Sequence, residues 1–204
     1  MRWQITFHEL WIGRRNSRLG WAVGPVQRQL CLALPKVLPS PVIHTHMTGY
    51  LERLSAAGLY PERLPLFGNI PLVPGAQVDP VPPGLPENAF VILHFGSITL
   101  RTELLGERLR ELREEFAANG SACHFVSIGS AGPHKAVAER TAVDVFGEGH
   151  VHFIGIISAE QVSAWMMRAQ VGLSRSPLHI YEKSGSTAAM LEHGLDVRLM
   201  STEA

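Results

Sequence analysis

The chain has 204 residues, 46% of them hydrophobic and 18% charged, which is enough apolar material for a buried core and for one large or two small domains. Eighteen Lys and Arg balance eighteen Asp and Glu, so there is no basic surplus of the kind that drives sequence-independent nucleic-acid binding, and nucleic acid is set aside as a partner. No apolar run reaches the roughly 18 to 20 residues that span a bilayer, and MRWQITFHELWIG lacks the plan of a signal peptide. The expectation is a cytoplasmic chain without a transmembrane segment, with peripheral membrane contact left open.

In chain order, QITFHELWI (Gln4 to Ile12), PVIHTH (Pro41 to His46) and LPLFGNIP (Leu64 to Pro71) read as strands. Between them the pattern predicts a helix from Arg18 to Leu34 and another from Thr48 to Ala57, capped by Thr48 and stopped by Gly58. Three strands and two helices make half of a Rossmann-type sheet, a partial N-terminal domain over residues 1–72. Six prolines between Pro71 and Pro86 remove backbone donors and fix φ, so residues 73–88 read as a linker.

From residue 89 to 204 the pattern becomes strongly periodic. FVILHF (Phe90 to Phe95), CHFVSIG (Cys123 to Gly129), HVHFIGII (His150 to Ile157), VGLS (Val171 to Ser174) and DVRLM (Asp196 to Met200) have the β-branched and aromatic character of central parallel strands. Leu105, Leu109, Leu112 and Phe116 form one helical stripe, closed by Asn119 and Gly120. Ser158 and Gln161 form a capping-box pattern ahead of Val162, Trp165, Met166 and Ala169, whose spacing reads as core packing against a sheet. Strands alternating with helices imply right-handed βαβ units and a doubly wound parallel sheet. The fold class is therefore α/β, two Rossmann-like domains with parallel sheets. The first domain looks incomplete and the second lacks a closing helix, as in a fragment of a longer protein. Cys31 and Cys123 lie far apart in apolar runs and read as free thiols in a reducing cytosol.

In an open parallel sheet, ligands gather at the carboxyl ends of the strands. Four loops there are rich in small and polar residues: HFGSI (His94 to Ile98), IGSAGPHK (Ile128 to Lys135), GIIS (Gly155 to Ser158) and SRSPLHIYEKSGS (Ser174 to Ser186). None matches the dinucleotide or P-loop glycine pattern. In the last loop, Ser184, Gly185, Ser186 and Thr187 open a helix whose bare N–H groups can accept a diphosphate. Lys183 adds a point charge, and Glu182 can accept hydrogen bonds from sugar hydroxyls. The competing structural reading is that Ser184 or Ser186 merely caps the helix.

A Pro-rich junction between two Rossmann-like halves, VILHFGSI, VHFIGIISAEQVSAWMMRAQVGLSRSP and the EKSGSTAAMLEHGLDV segment together resemble the GT-B-fold glycosyltransferases that use nucleotide sugars, particularly the retaining type of family 4. The resemblance is best from Phe90 to Val197. It implies a nucleotide-sugar donor held on the second domain, a hydroxyl acceptor on the first, and no separate cofactor. Glu182 stands near the first acid of the family's E-x7-E signature, which contacts the donor sugar, whereas the position of the second acid is Met190 and the next acid is Glu192. The resemblance assigns donor binding to Gly96, Ser97, Arg101, Lys183, Ser184, Gly185, Ser186 and Thr187. It assigns cleft-facing catalytic candidates to His8, Glu9 and Glu182. Strand alternation sends His8 and Glu9 to opposite faces. His44 and His46 share a face but have no Cys or acid beside them, so contact with donor or acceptor is expected of them and no metal. Two rival readings stand beside the transferase: a truncated or degenerate relative that binds a sugar nucleotide or a partner without turnover, and an unrelated α/β enzyme of a small phosphorylated metabolite.

Overall fold

A computed structural model describes residues 3–11, 18–98, 102–117, 122–130 and 132–200. The chain divides into two compact units, Met1–Leu66 and Phe67–Ala204.

The first unit carries three parallel strands in the order β1 (Gln4–Phe7), β2 (Val42–Thr45), β3 (Glu62–Arg63), joined through α1 (Arg18–Val37) and α2 (Thr48–Ser55). Ile5, Phe7 and Leu54 are buried at its centre, with Cys31 and Ile43 packed around them. Three expectations need correction. β1 stops at Phe7, because its last rung pairs with Thr45 and the Thr45 hydroxyl takes the Phe7 carbonyl at 3.2 Å, so His8 and Glu9 lie beyond the strand. The third strand is Glu62–Arg63, and the apolar run after it, interrupted by Pro65, leaves the sheet. Met47, with extended backbone, occupies the N-cap of α2 and makes no side-chain cap bond, so Thr48 is the first helical residue and not the cap.

The second unit carries five parallel strands: β4 (Phe90–Phe95), β5 (Cys123–Ile128), β6 (Val151–Gly155), β7 (Val171–Ser174) and β8 (Asp196–Leu199). Their order is β6-β5-β4-β7-β8. The chain starts in the middle, winds outward one way through β5 and β6, then returns to the other side of β4 through β7. This is the doubly wound plan, and its direction reverses between β4 and β7.

Four helices cover the two faces. On one face α3 (Thr102–Ala117) and α4 (Lys135–Phe146) bury Leu105, Leu109, Leu112, Ala138 and Ala142 against Ile92, Phe125 and Leu173. On the other, α5 (Ala159–Arg168) and α6 (Gly185–Glu192) bury Val162, Trp165, Met166 and Met190 against Val91, Leu93 and Val126. The Trp and Met stripe is therefore core. Ser158 caps α5 by accepting from the Gln161 amide at 3.2 Å, but the Gln161 side chain does not close the capping box. It reaches instead into the proline-rich segment, donating to the Gln77 carbonyl and accepting from the Asp79 amide.

That segment has no helix or strand and lies within the second unit, with Ile70 and Leu85 buried in its core and the Val73 amide bonded to the Ser163 hydroxyl. Cys31 and Cys123 are free thiols. Among the described residues no helix is long and apolar enough to cross a membrane.

Candidate functional site

The reversal between β4 and β7 is where a parallel sheet opens a crevice beyond its strand ends. The loop that leaves β4 contributes Gly96, Ser97 and the buried Ile98. The chain that leaves β7 runs through a 3-10 segment, Leu178–Lys183, and starts α6 at Gly185.

The rim is built from glycine. Gly96, Gly129 and Gly155, which follow or end β4, β5 and β6, have φ of +130°, +122° and +82°, a region that side chains disfavour. The Gly96 amide donates to the Ile128 carbonyl at 2.9 Å and the Gly129 amide to the Gly155 carbonyl at 2.8 Å, so the three loops continue the ladder past the strands. A Cβ on Gly129 would sit 2.4 Å from the Gly96 carbonyl oxygen, which explains why that position has none. A Cβ on Gly96 would lie 3.7 Å from the Ser186 hydroxyl. The β4 loop and the start of α6 therefore face each other at contact distance across the switch point.

The start of α6 can be accounted for amide by amide. Ser184 is the N-cap, and its hydroxyl accepts from the Thr187 amide at 3.2 Å, so the cap reading of Ser184 holds. The Ser184 amide goes to the Tyr181 carbonyl and the Ala188 amide to the Ser184 carbonyl. The Thr187 hydroxyl is buried against Ser174 on β7, 2.6 Å away, which pins the helix start to the sheet. The Gly185 and Ser186 amides, with no carbonyl a turn earlier, have no partner among the described residues. The Ser186 hydroxyl lies 3.1 Å from that of Ser184. What remains open is two adjacent amides and the Ser186 hydroxyl beside Gly96.

Glu182 and Lys183 close the 3-10 segment just before the cap, half-buried and each engaged with other groups. Arg101 lies outside the described residues. Two residues next to the rim carried no role in the sequence reading. Arg175 follows β7 directly and is exposed. His94, penultimate in β4, is buried with Nδ1 3.2 Å from the Ser127 hydroxyl, and burial, followed by the Arg175 guanidinium, lowers its pKa to about 4. His94 is thus a neutral packing group, while Arg175 is a cation at the switch point. An Arg immediately after the fourth strand was visible in the sequence, but its importance depends on strand order.

Met190, eight positions after Glu182, is fully buried against the sheet, and the Glu192 carboxylate accepts from the Gly68 amide at 3.0 Å. Neither supplies a second acid to the rim.

In the first unit, the exposed His8 stacks at a tilt on buried His46, with ring centroids 5.0 Å apart, and the Glu9 carboxylate accepts from the Tyr50 hydroxyl at 2.8 Å. Both follow β1, on the carboxyl side of that sheet. His44 is half-buried on β2. Among the described residues no group of three or more His, Cys, Asp or Glu is arranged to hold a metal ion.

A groove of about 610 Å³ runs between the proline-rich segment and α5, lined by Val78, Val81, Leu85, Glu87, Met167 and Arg168. It is not at the rim of glycines.

No protein-family model matches the chain and no curated protein matches it by sequence. Solved structures do. WaaG, described as a glycosyltransferase involved in lipopolysaccharide biosynthesis, is 17% identical with a TM-score of 0.53, over 96% of this chain and 55% of its own. A putative UDP-N-acetylglucosamine 2-epimerase from Listeria monocytogenes is 15% identical with a TM-score of 0.52, over 98% of this chain and 51% of its own. MnaA of S. aureus, solved with UDP, is 14% identical with a TM-score of 0.52, again over 98% and 51%. The chain thus spans about half the length of the structures it matches. The likeness is one of fold. At that level the α/β architecture with two parallel sheets and the GT-B resemblance read from the sequence are both borne out.

Proposed function

We propose that the second unit holds the diphosphate of a nucleoside-diphosphate sugar at the β4/β7 switch point, and that the protein is a glycosyltransferase moving a hexose to a hydroxyl acceptor with retention at the anomeric carbon. The observation that carries this reading is the pair of amides at the start of α6, Gly185 and Ser186, that have no partner among the described residues, with the Ser186 side chain beside Gly96. An anion there gains two backbone donors and the positive end of the helix.

When the bond between the anomeric carbon and the diphosphate breaks, its electron pair stays on the departing phosphate oxygen. The new bond forms to the acceptor oxygen, whose proton passes to the departing phosphate oxygen. Fixed donors aimed at the departing charge lower that barrier most, because they need no reorganisation as the charge develops. The Gly185 and Ser186 amides supply them, and Lys183 and Arg175 add positive potential. Glu182 is proposed as a sugar contact, and His8 and Glu9 as groups facing the acceptor side. Ser97 and Arg101 are proposed to line the donor side of the β4 loop.

A second reading, a relative that binds a sugar nucleotide without turnover, is favoured by the buried Met190 and by the engagement of Glu192 with Gly68. Calorimetric titration with UDP, GDP and ADP sugars tests the shared part: one nucleotide should bind, and Lys183→Ala should weaken it. Binding of none, or a Lys183→Ala chain with unchanged affinity, refutes the site. Release of free sugar and nucleoside diphosphate from a bound donor then separates turnover from binding alone.

A further inference from the structure

α6 is eight residues long, so its ends lie about 12 Å apart and move as one body. Its start is pinned to the sheet through Thr187 and Ser174. Ala189 and Met190 pack it onto the core, but apolar contact is non-directional and does not fix the helix axis. A second directional contact, at the far end, is needed to decide where the Gly185 and Ser186 amides aim.

That contact is built on His193, to which the sequence reading gave no role. His193 is the C-cap of α6. Its Nδ1 lies 2.7 Å from the Ala189 carbonyl, and a carbonyl only accepts, so Nδ1 carries the proton and donates. Nε2 is then the acceptor and takes the hydroxyl of Ser163 on α5, 2.9 Å away. The Ser163 oxygen in turn accepts from the Val73 amide at 3.0 Å. Ser163 is fully buried, and every group in this relay has a partner suited to its role. The relay therefore ties the end of α6 to α5 and to the segment by which the chain enters the second unit.

The same segment also meets α6 directly. The Gly68 amide donates to the Glu192 carboxylate at 3.0 Å, and a Cβ on Gly68 would sit 2.6 Å from the Ala189 Cα. Only glycine lets the chain cross the helix so closely.

We propose that His193 and Ser163 are positioning residues for the anion site: they hold the far end of α6 and so aim the Gly185 and Ser186 N–H groups at the diphosphate. This rests on the reading of α6 as the diphosphate helix. His193 lies at the end of α6 opposite the rim, and the effect runs through the helix axis, because a hydrogen bond weakens steeply as its angle closes.

The test compares nitrogen-15 amide spectra of the parent, Ser163→Ala, His193→Ala and a control, Gln161→Ala. Gln161 is also on α5, but its side-chain bonds go to Gln77 and Asp79 and not to α6. Without UDP, the Gly185 and Ser186 signals should move in Ser163→Ala and His193→Ala and stay in place in Gln161→Ala. Calorimetry should show UDP affinity lower by at least about fivefold in the first two and parental in the control. If His193→Ala fails to fold by circular dichroism, Ser163→Ala, which removes one oxygen atom, carries the test. A folded Ser163→Ala chain whose two ligand-free amide signals coincide with the parent's overturns the proposal. So does an equal movement in Gln161→Ala, which assigns the effect to general loosening, and so does parental UDP affinity in the folded variants. A parent chain that binds no UDP refutes the diphosphate reading itself, and with it the purpose of the tether. The two failures are distinct, since unmoved amides are read without ligand.

Discussion

Replacing Gly185 by proline removes one hydrogen-bond donor from the proposed site and little else. Gly185 is the first residue of α6, where proline's fixed φ suits the helix and its missing N–H breaks no intrahelical bond. A Cβ at this position meets nothing within 4 Å. The preceding Ser184 has φ −89° and ψ 109°, in the extended region that a residue before proline prefers. Folding stability should therefore hold or rise by about 0.4 to 1 kcal/mol, through the reduced freedom of the unfolded chain. A hydrogen bond to a charged group contributes about 1.5 to 3 kcal/mol, so UDP affinity should drop by a factor of roughly 10 to 150. Gly185→Ala keeps the amide and should bind as the parent does. Urea denaturation and isothermal titration calorimetry on the three chains measure both quantities. A stably folded Gly185→Pro chain with parental affinity would refute the reasoning, and so would an equal loss in Gly185→Ala, which would point to the side-chain space and not the donor.

Ser184→Ala should destabilise the second unit by about 1 kcal/mol in urea denaturation, because the Thr187 amide loses its cap. Gly129→Ala forces a Cβ to 2.4 Å from the Gly96 carbonyl at a φ of +122°. It should cost roughly 1 to 3 kcal/mol in stability and also weaken UDP binding in calorimetry, since Gly96 must move. Stability should also fall in acid. The His94 pKa is lowered from 6.5 to about 4 by burial and then by Arg175, so between those values the unfolded chain takes up the proton and the folded chain resists it. The His94 contribution is whole above about pH 6.5, declines as pH falls and is lost near pH 4, a difference on the order of 3 kcal/mol. His124 is lowered in the same direction, by burial and then by His150 and His152, and adds to the slope. Thermal melts of the parent and His94→Asn across pH 7 to 4 should show a shallower decline in the variant.

The elements that could be read from the sequence are those for which local pattern and burial agree. VGLS is β7 residue for residue, and FVILHF is β4, because central strands covered on both faces must be apolar throughout. The Leu105, Leu109, Leu112 stripe and the Trp165, Met166 pair pack where helical period put them. The failures occur at edges and junctions. β3 has only two rungs and both its residues are charged and exposed, so an edge strand carried no apolar signal while the next run, LPLFG, did. β1 ends early because Thr45 closes its last rung, a long-range bond that no local pattern reveals. Lys135–Phe146 forms α4 although the sequence reading gave that segment no helix. The proline-rich stretch was legible as irregular but not as part of the core that buries Ile70 and Leu85, since proline content reports backbone freedom and not the fate of neighbouring side chains. At the site, Gly185 and Ser186 stood out as small residues before a helix. That the Ser186 side chain lies beside Gly96 follows from the strand order β4-β7, a property of the whole sheet.

The most direct measurement is the amide spectrum of the protein labelled with nitrogen-15 during titration with UDP. Saturable shifts centred on the Gly185 and Ser186 N–H signals, with Gly96 responding alongside, are the predicted result. UDP binding that leaves those two amides unmoved would contradict the claim that they receive the diphosphate.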